Sequence, residues 1–416
     1  MGQIMMTRDH IYPEGEDWNW LEDTPFAHSV GVGDQVFIAG QQTLDANGKI
    51  LDAGDIAAQT RNVFENMKSA LARFGLGFKD LVRINTYYVF DGADEDATQY
   101  WEDMTRIRLE YFPDPGPVGT AVRVKGMPYD GQLIQIEGVA LRGETRSNRQ
   151  RIMPAESWDW SIALPLSQGW RVGEQIFVGG QISADAQGKS VHVGDLAAQT
   201  RNIYKFIGNV LGDAGASFDD VVHLKVCFKH DSWEPSGQSF ADRIMDVTTE
   251  YFSGPFPVLT AFGVDLLYPG LDLEIDAMAI VDPARRTLQK SVPGERYQPD
   301  NFSDGVSAAG EIYVGGQTAL GADGAALAAG DIGAQSRIAF ERLAAVLAAD
   351  GATLDDVVKL NLFFVADDAG SAEAFHAVSA VWADMAPGAH PAMTPVRVHE
   401  LVRDGLLVQA DCIALK

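Results

Sequence analysis

The chain has 416 residues, 46% hydrophobic and 22% charged, with a formal net charge of −26 from 58 acids against 32 bases. That balance repels a phosphate backbone and leaves little for a basic stripe, so nucleic acid is not an expected partner and the acidity reads as solubility. No apolar stretch approaches the roughly 20 residues that cross a bilayer, and the N-terminal residues lack a basic-then-apolar signal pattern, so no membrane partner and a cytoplasmic location are expected.

The first predicted strand lies in a motif that occurs three times: GVGDQVFIAGQQ from Gly31, RVGEQIFVGGQI from Arg171 and SAAGEIYVGGQT from Ser307. Gly40 to Gln59, Gly180 to Gln199 and Gly316 to Gln335 keep one spacing, each ending in Ala-Gln-Thr/Ser-Arg. Such self-similarity divides the chain into repeats 1–145, 146–285 and 286–416, each of roughly 139 residues and long enough to bury a core. After the strand Gln35–Ala39, a turn at Asp45–Gly48 predicts a hairpin into a short partner. A helix follows, with Asp55 (Asp195, Asp331) at its start, apolar Ile56, Val63, Met67, Ala70 and Leu71 at helical spacing, and Gly75 as its stop.

A second strand, Leu81–Val89, recurs at Val221–Lys229 and Val357–Val365. Its alternate residues Arg83 and Asn85, His223 and Lys225, and Lys359 and Asn361 must all point away from the helix-packed face. That face therefore meets something wet or another subunit. A second helix around Ala93–Tyr111 runs into proline-rich turns at 113–117, 255–257 and 387–391, and two closing strands follow at Thr120–Val124 and Leu133–Leu141. Each repeat is thus an α+β sandwich, one sheet covered by two helices on one face. Cys227 and Cys412 fall in strand-like runs of different repeats and read as core residues, not as a disulfide or metal pair. The linker pairs Trp18/Trp20 and Trp158/Trp160, replaced by Arg296–Pro299 before the third repeat, read as packing of the connector onto the preceding domain rather than as a ligand cleft.

Gly-Gln after the first strand, the Gln-Thr-Arg helix, the Asp-Asp-Val-Val lead-in (Asp219–Val222, Asp355–Val358) and the closing Leu-Glu-Ile-Asp-Ala-Met-Ala run (Leu273–Ala279) resemble the RidA (YjgF) family over nearly the whole of each repeat. The resemblance implies chorismate-mutase-like α/β sandwich domains and, since members are usually homotrimers, an intramolecular pseudo-trimer with clefts at the repeat boundaries. It also implies hydrolysis of 2-imino or 2-enamino acids to 2-oxo acids and ammonia. In that chemistry an arginine fixes the substrate carboxylate and a glutamate directs water, aided by a serine before Gly-Gln and an upstream tyrosine.

Carried over residue by residue, the arginine position holds Gly119, Leu259 and Met393, the serine position Ala39, Gly179 and Gly315, and the tyrosine position falls near Phe26, Leu166 and Phe302. The glutamate survives only as Glu274, with Gln135 and Gln409 in the other repeats. Arg123 and Arg397 stand four residues beyond the family arginine, a displacement of about 13 Å along a strand. They are candidate anion holders, against the alternative of ion pairs with inward acids such as Glu137 or Asp411. His28 is a candidate base or ligand contact, against a satisfied histidine.

The function expected from sequence is a RidA-like hydrolase or deaminase acting on a small imine, enamine or related C–N compound at inter-repeat clefts. Glu274 is the catalytic candidate, and Arg123, Arg397, Gln135, Gln409 and His28 are candidate contacts to a small, anionic substrate. The alternatives are a non-catalytic ligand-binding or assembly protein and an amide or ring-opening hydrolase. No metal or nucleotide motif is present, so no cofactor is expected, and the assembly expected is a monomeric pseudo-trimer or a small oligomer of it.

Overall fold

A computed structural model describes residues 7–230, 239–254, 256–288 and 302–416. Repeat 1 comprises β1 (Arg8–Ile11), β2 (Ser29–Val32), β3 (Gln35–Gln41), α1 (Ile56–Ala72), β4 (Leu81–Tyr88), α2 (Ala97–Arg106), β5 (Val118–Arg123) and β6 (Ile134–Leu141). Repeat 2 follows with β7 (Arg149–Ile152), β8 (Gly169–Val172), β9 (Gln175–Ile182), α3 (Leu196–Asp213), β10 (Val221–Lys229), α4 (Phe240–Thr248), β11 (Val258–Val264) and β12 (Leu273–Ile280). Repeat 3 contains β13 (Arg286–Leu288), β14 (Gly305–Ala308), β15 (Glu311–Thr318), α5 (Ile332–Ala348), β16 (Val357–Phe364), α6 (Ser371–Met385), β17 (Ala392–Arg397), β18 (Glu400–Leu401) and β19 (Val408–Leu415).

The first sheet has the order β1-β2-β3-β6-β4-β5, in which only β4 and β5 are parallel, and the other two sheets repeat it. The second sheet also gains β18 from repeat 3, paired to β11. The predicted hairpin partner after β3 is a single bridge, Leu44 to Ile50, because Asp45 folds back to accept from the amides of Asn47 and Lys49. The second predicted helix is α2 flanked by 3₁₀ turns at Asp94–Asp96 and Ile107–Glu110. The aspartates expected in a first helical turn are N-caps: Asp55, Asp195 and Asp331 accept from the amides of Ala58, Ala198 and Ala334 at 2.9–3.0 Å.

The recurring motifs have physical roles. Gln59 is buried and closes a loop by donating to Gly131 O at 2.9 Å while accepting from Leu133 N at 2.7 Å; Gln335 does the same with Gly405 and Leu407. Arg61, Arg201 and Arg337 tie the first helix to the second through Glu110, Glu250 and Asp384. In Ala-Gly-Gln of repeat 1 and Gly-Gly-Gln of the other two the ladder slips, as between Ile38 and Gln41, and Gln41, Gln181 and Gln317 donate back to the carbonyls of Ala39, Gly179 and Gly315. The result is a β-bulge that makes room for a side chain of the closing strand. A Cβ at Gly40, Gly180 or Gly316 would overlap Gln135, Glu274 or Gln409 respectively.

The three sheets close head to tail into a ring. The carbonyls of Pro117, Pro257 and Pro391 accept from the amides of Ser167, Ser303 and Ala27 of the next repeat, at 3.0, 3.2 and 3.1 Å. At the other end of these strands Arg123 bridges Asp265, Gly263 pairs Glu400, and Arg397 bridges Gly126. Each interface joins unlike surfaces, and after three steps the ring is complete.

The sheet faces not covered by helices meet on the pseudo-threefold axis around a cavity of about 50 Å³, lined by the predicted polar set Arg83, Asn85, His223, Lys225, Lys359 and Asn361. Three bases, Arg83, Lys225 and Lys359, face three acids, Glu137, Asp276 and Asp411. Asn85 and Thr394 each donate to Glu137 at 2.6 Å, Lys359 pairs with it, and Lys225 lies at 3.8 Å. Thr260 and Asn361 hold Asp411, and Thr120 holds Asp276. Cys227 and Cys412 are buried free thiols.

The tryptophan pairs pack between repeats: Trp158 and Trp160 join the hydrophobic cluster built mainly from repeat 1, the preceding domain, and Trp18 and Trp20 join that of repeat 3. Trp18 donates to Gln41 and stacks on His28 within repeat 1, while Trp20 packs on Phe375 of repeat 3. Trp158 donates to Gln181 of its own repeat. The third-repeat counterpart, Arg296–Pro299, lies outside the described residues, as does Pro255.

Candidate active site between repeats 1 and 2

The bulge in β9 and the edge of β5 build the most unusual of the three boundaries. Gln135, Glu274 and Gln409 each reach across to the same strand position of the neighbouring repeat, occupied by Pro395, Ala121 and Ala261. Gln135 donates to Pro395 O at 2.9 Å and Gln409 to Ala261 O at 3.1 Å. Both glutamines are thus engaged as cross-repeat struts. Proline offers no N–H, so a residue facing Pro395 can bond its backbone only as a donor, which suits glutamine at 135.

Glu274 meets Ala121 instead. It is 2% exposed. Burial, with Asp276 nearby, pushes its carboxyl well above the usual carboxylate range against a hydrogen bond from the Ala121 amide, and Oε2 has no partner among the described residues. Its carboxyl raises the phenol pKa values of Tyr88 in repeat 1 and Tyr268 in repeat 2, on top of the larger effect of burial. Tyr268 packs edge-on to Trp101 at 5.6 Å, and the Tyr88 hydroxyl and the Trp101 indole N–H are buried without partners among the described residues.

Sequence reasoning missed Arg108. It sits after α2, with its guanidinium beneath β5, where a Cβ on Gly119 would lie 3.9 Å from Nη1 and 3.5 Å from Leu166. Gly119 and Leu166 occupy the family's arginine and tyrosine positions, so a guanidinium returns to this cleft from elsewhere in the chain. Arg108 is 3% exposed, donates to Thr86 Oγ1 at 3.2 Å and has no partner for Nε among the described residues. Burial pulls its pKa down to about 10. Counted back from Pro117, Pro257 and Pro391, the matching residues are Arg108, Thr248 and Trp382. A lone basic residue at a buried helical position was the available signal.

Arg123 and Arg397 have other engagements. Arg123 binds Asp94 at 2.8 Å and Leu266 O at 3.0 Å; Arg397 binds Asp368 at 2.6 Å and Lys125 O at 3.2 Å. Their carboxylates are therefore not Glu137 or Asp411. Three residues beyond the inward-facing Thr120 and Thr394, these side chains leave the opposite side of the strand. Glu400 packs where an arginine at Gly263 would be.

His28, from the boundary of repeats 3 and 1, stacks on Trp18 at 3.9 Å, and burial takes its pKa down to about 4 despite Asp17. It lines a void of about 10 Å³, too small for a substrate. The structure therefore brings Glu274, Arg108 and Arg123 to one boundary, with the Arg123 guanidinium held by Asp94 and Leu266 O, and leaves Arg397 and His28 at the boundary of repeats 3 and 1.

The profile described as Endoribonuclease L-PSP matches the chain at residues 21–142, 160–281 and 296–416. The chain belongs to the RidA/YjgF family. It is 34% identical over 118 residues to a RutC family protein of Pyrococcus horikoshii, covering 28% of this chain and 87% of that one. It is 33% identical over 135 residues to the 3-aminoacrylate deaminase RutC of Acinetobacter baylyi, covering 32% of this chain and 98% of that one. Among solved structures, a chorismatase matches 81% of this chain and 94% of its own with TM-score 0.54 at 13% identity, a likeness of fold alone. Three RidA repeats in one polypeptide account for the pseudo-trimer, and no described helix is long and apolar enough to cross a membrane.

Proposed function

We propose that this RidA-family chain is a hydrolase or deaminase of a small anionic imine, enamine or related C–N compound, acting at the boundary of repeats 1 and 2. The observation that carries the reading is that two unusual groups border the same strand, β5: Glu274, the one acid among three equivalent positions, at Ala121, and Arg108, a buried guanidinium with no acidic partner within 4 Å among the described residues, at Gly119. A buried cation of this kind is stabilised by an incoming carboxylate, which a guanidinium binds in bidentate fashion.

With its pKa raised, Glu274 holds a proton it can give to the imine nitrogen. The resulting carboxylate takes a proton from water as the oxygen adds to the carbon. Collapse of the carbinolamine releases ammonia and leaves a carbonyl group, so C=N and water become C=O and NH₃. The aromatic wall of Tyr88, Trp101 and Tyr268 keeps bulk water out, which strengthens both interactions.

The test is ammonia release from 2-iminopropanoate or 3-aminoacrylate generated in situ. Wild type should exceed spontaneous decay, Glu274→Gln should lower kcat by at least about a hundredfold, and Arg108→Met should act chiefly on KM. Decay unchanged by the wild-type protein across a panel of imino and enamino acids refutes the proposal. A non-catalytic ligand-binding role is the second reading, favoured by Gly179, which stands at the serine position with its Cβ direction 3.3 Å from Gly119 O. Substrate binding without turnover would select it.

A further inference from the structure

At one end of the ring, the strand ends of repeats 2 and 3 gather two imidazoles and a carboxylate. His230 follows β10, Asp265 follows β11 and His399 follows β17. Asp265 and His399 hold the position occupied by Lys125 in repeat 1, each one residue beyond a buried valine. His230 Nε2 lies 3.2 Å from Asp265 Oδ1, and His399 Nε2 lies 3.5 Å from Asp265 Oδ2. One ligand atom from each residue falls within 4.8 Å of the other two. The two histidine–aspartate separations, each to a different oxygen of Asp265, are comparable with the ~3.3 Å edge of a tetrahedron whose centre is ~2.0–2.1 Å from its nitrogen and oxygen corners, the bond lengths of zinc, and small side-chain movements would bring all three ligand atoms onto one centre.

The backbone under these side chains is fixed. His230 N donates to Val264 O at 2.9 Å, Asp265 N to Arg123 O at 2.9 Å and His399 N to Gly263 O at 3.1 Å. The side chains are only partly buried, and His230 and His399 border an open cavity of about 410 Å³ also lined by Glu400 and Lys125. The frame is rigid, and the partly buried side chains can adjust upon it. The rings stack at 3.9 Å, 5° from parallel, so each must tilt for their lone pairs to converge. Arg123, 4.0 Å from Asp265, and Lys125 oppose a cation and hold affinity below that of a dedicated structural site.

We propose that His230, Asp265 and His399 form a site for a borderline divalent metal ion of the zinc, nickel or cobalt class, joining repeats 2 and 3, with the remaining coordination open to the cavity. Two imidazoles disfavour magnesium and calcium, which take oxygen ligands. The site uses neither Glu274 nor Arg108. Sequence motifs gave no sign of it, because its ligands come from three separate strand ends.

The full-length chain is titrated with Zn²⁺ by calorimetry and with Co²⁺ by visible absorption, in a non-chelating buffer with Mg²⁺ present in excess. One ion per chain should bind, with Co²⁺ bands of a four- or five-coordinate nitrogen–oxygen site, and His399→Gln and Asp265→Asn should each weaken Zn²⁺ at least about tenfold. The proposal is overturned if no ion binds, if Mg²⁺ competes equally, or if both variants bind Zn²⁺ as wild type does. Should a variant fail to fold, the wild-type Co²⁺ spectrum decides: absence of those bands overturns the site.

Discussion

Replacing Glu137 by glutamine keeps the shape of the axial network and removes one charge. In the wild type, burial opposes ionisation of Glu137, but Lys359 and Lys225, with hydrogen bonds from Lys359 and Thr394, outweigh it and hold the carboxyl down at about 2, against 4.5 for an unperturbed glutamate. That lowering corresponds to roughly 3 kcal/mol at neutral pH, in line with the ~3–5 kcal/mol lost when one partner of a buried ion pair is removed. Because the folded pKa lies below the unfolded one, this contribution is complete above pH 4.5 and is lost as pH falls toward 2. By linkage the wild-type advantage of roughly 3 kcal/mol at pH 7 should shrink to less than half of that at pH 3. Urea unfolding followed by tryptophan fluorescence at both pH values measures it. A difference under about 1 kcal/mol at pH 7, or one that grows on acidification, would refute the claim that these lysines are held by Glu137.

Glu274→Gln should behave in the opposite sense. The folded carboxyl titrates above its unfolded value, so the stability it adds is full below about pH 4.5 and is lost as pH rises; the variant should match wild type near pH 4 and unfold at higher urea near pH 8. Gly180→Ala drives a methyl into the Glu274 carboxylate and should cost about 1–3 kcal/mol, part of which the double variant with Glu274→Ala should recover, as thermal melts of the set will show. Gln59→Ala strands Gly131 O and Leu133 N and should cost about 1–3 kcal/mol, with hydrogen exchange accelerating first at Leu133.

The repeat, the sandwich and the inward polar strands were legible because they rest on local periodicity and on a motif written three times. The strands Arg8–Ile11, Arg149–Ile152 and Arg286–Leu288 were not, since short charged edge segments carry no alternation. Glu274 could be singled out because its counterparts are glutamines. Arg108 could not, because its significance depends on the side chain that Gly119 lacks on a strand folded over it. The partners of Arg123 and Arg397 escaped for a related reason: counting residues along the strand gives the side from which they leave, but not which loop meets them there.

Pro395 shows what joining three units in one chain permits. In a ring of identical subunits a proline at that strand position would appear three times, and every boundary would lose the same amide at once. Here the loss is confined to one boundary, and Ala121 keeps the N–H that Glu274 uses. Each junction can therefore be altered, tested by selection and repaired without touching the other two.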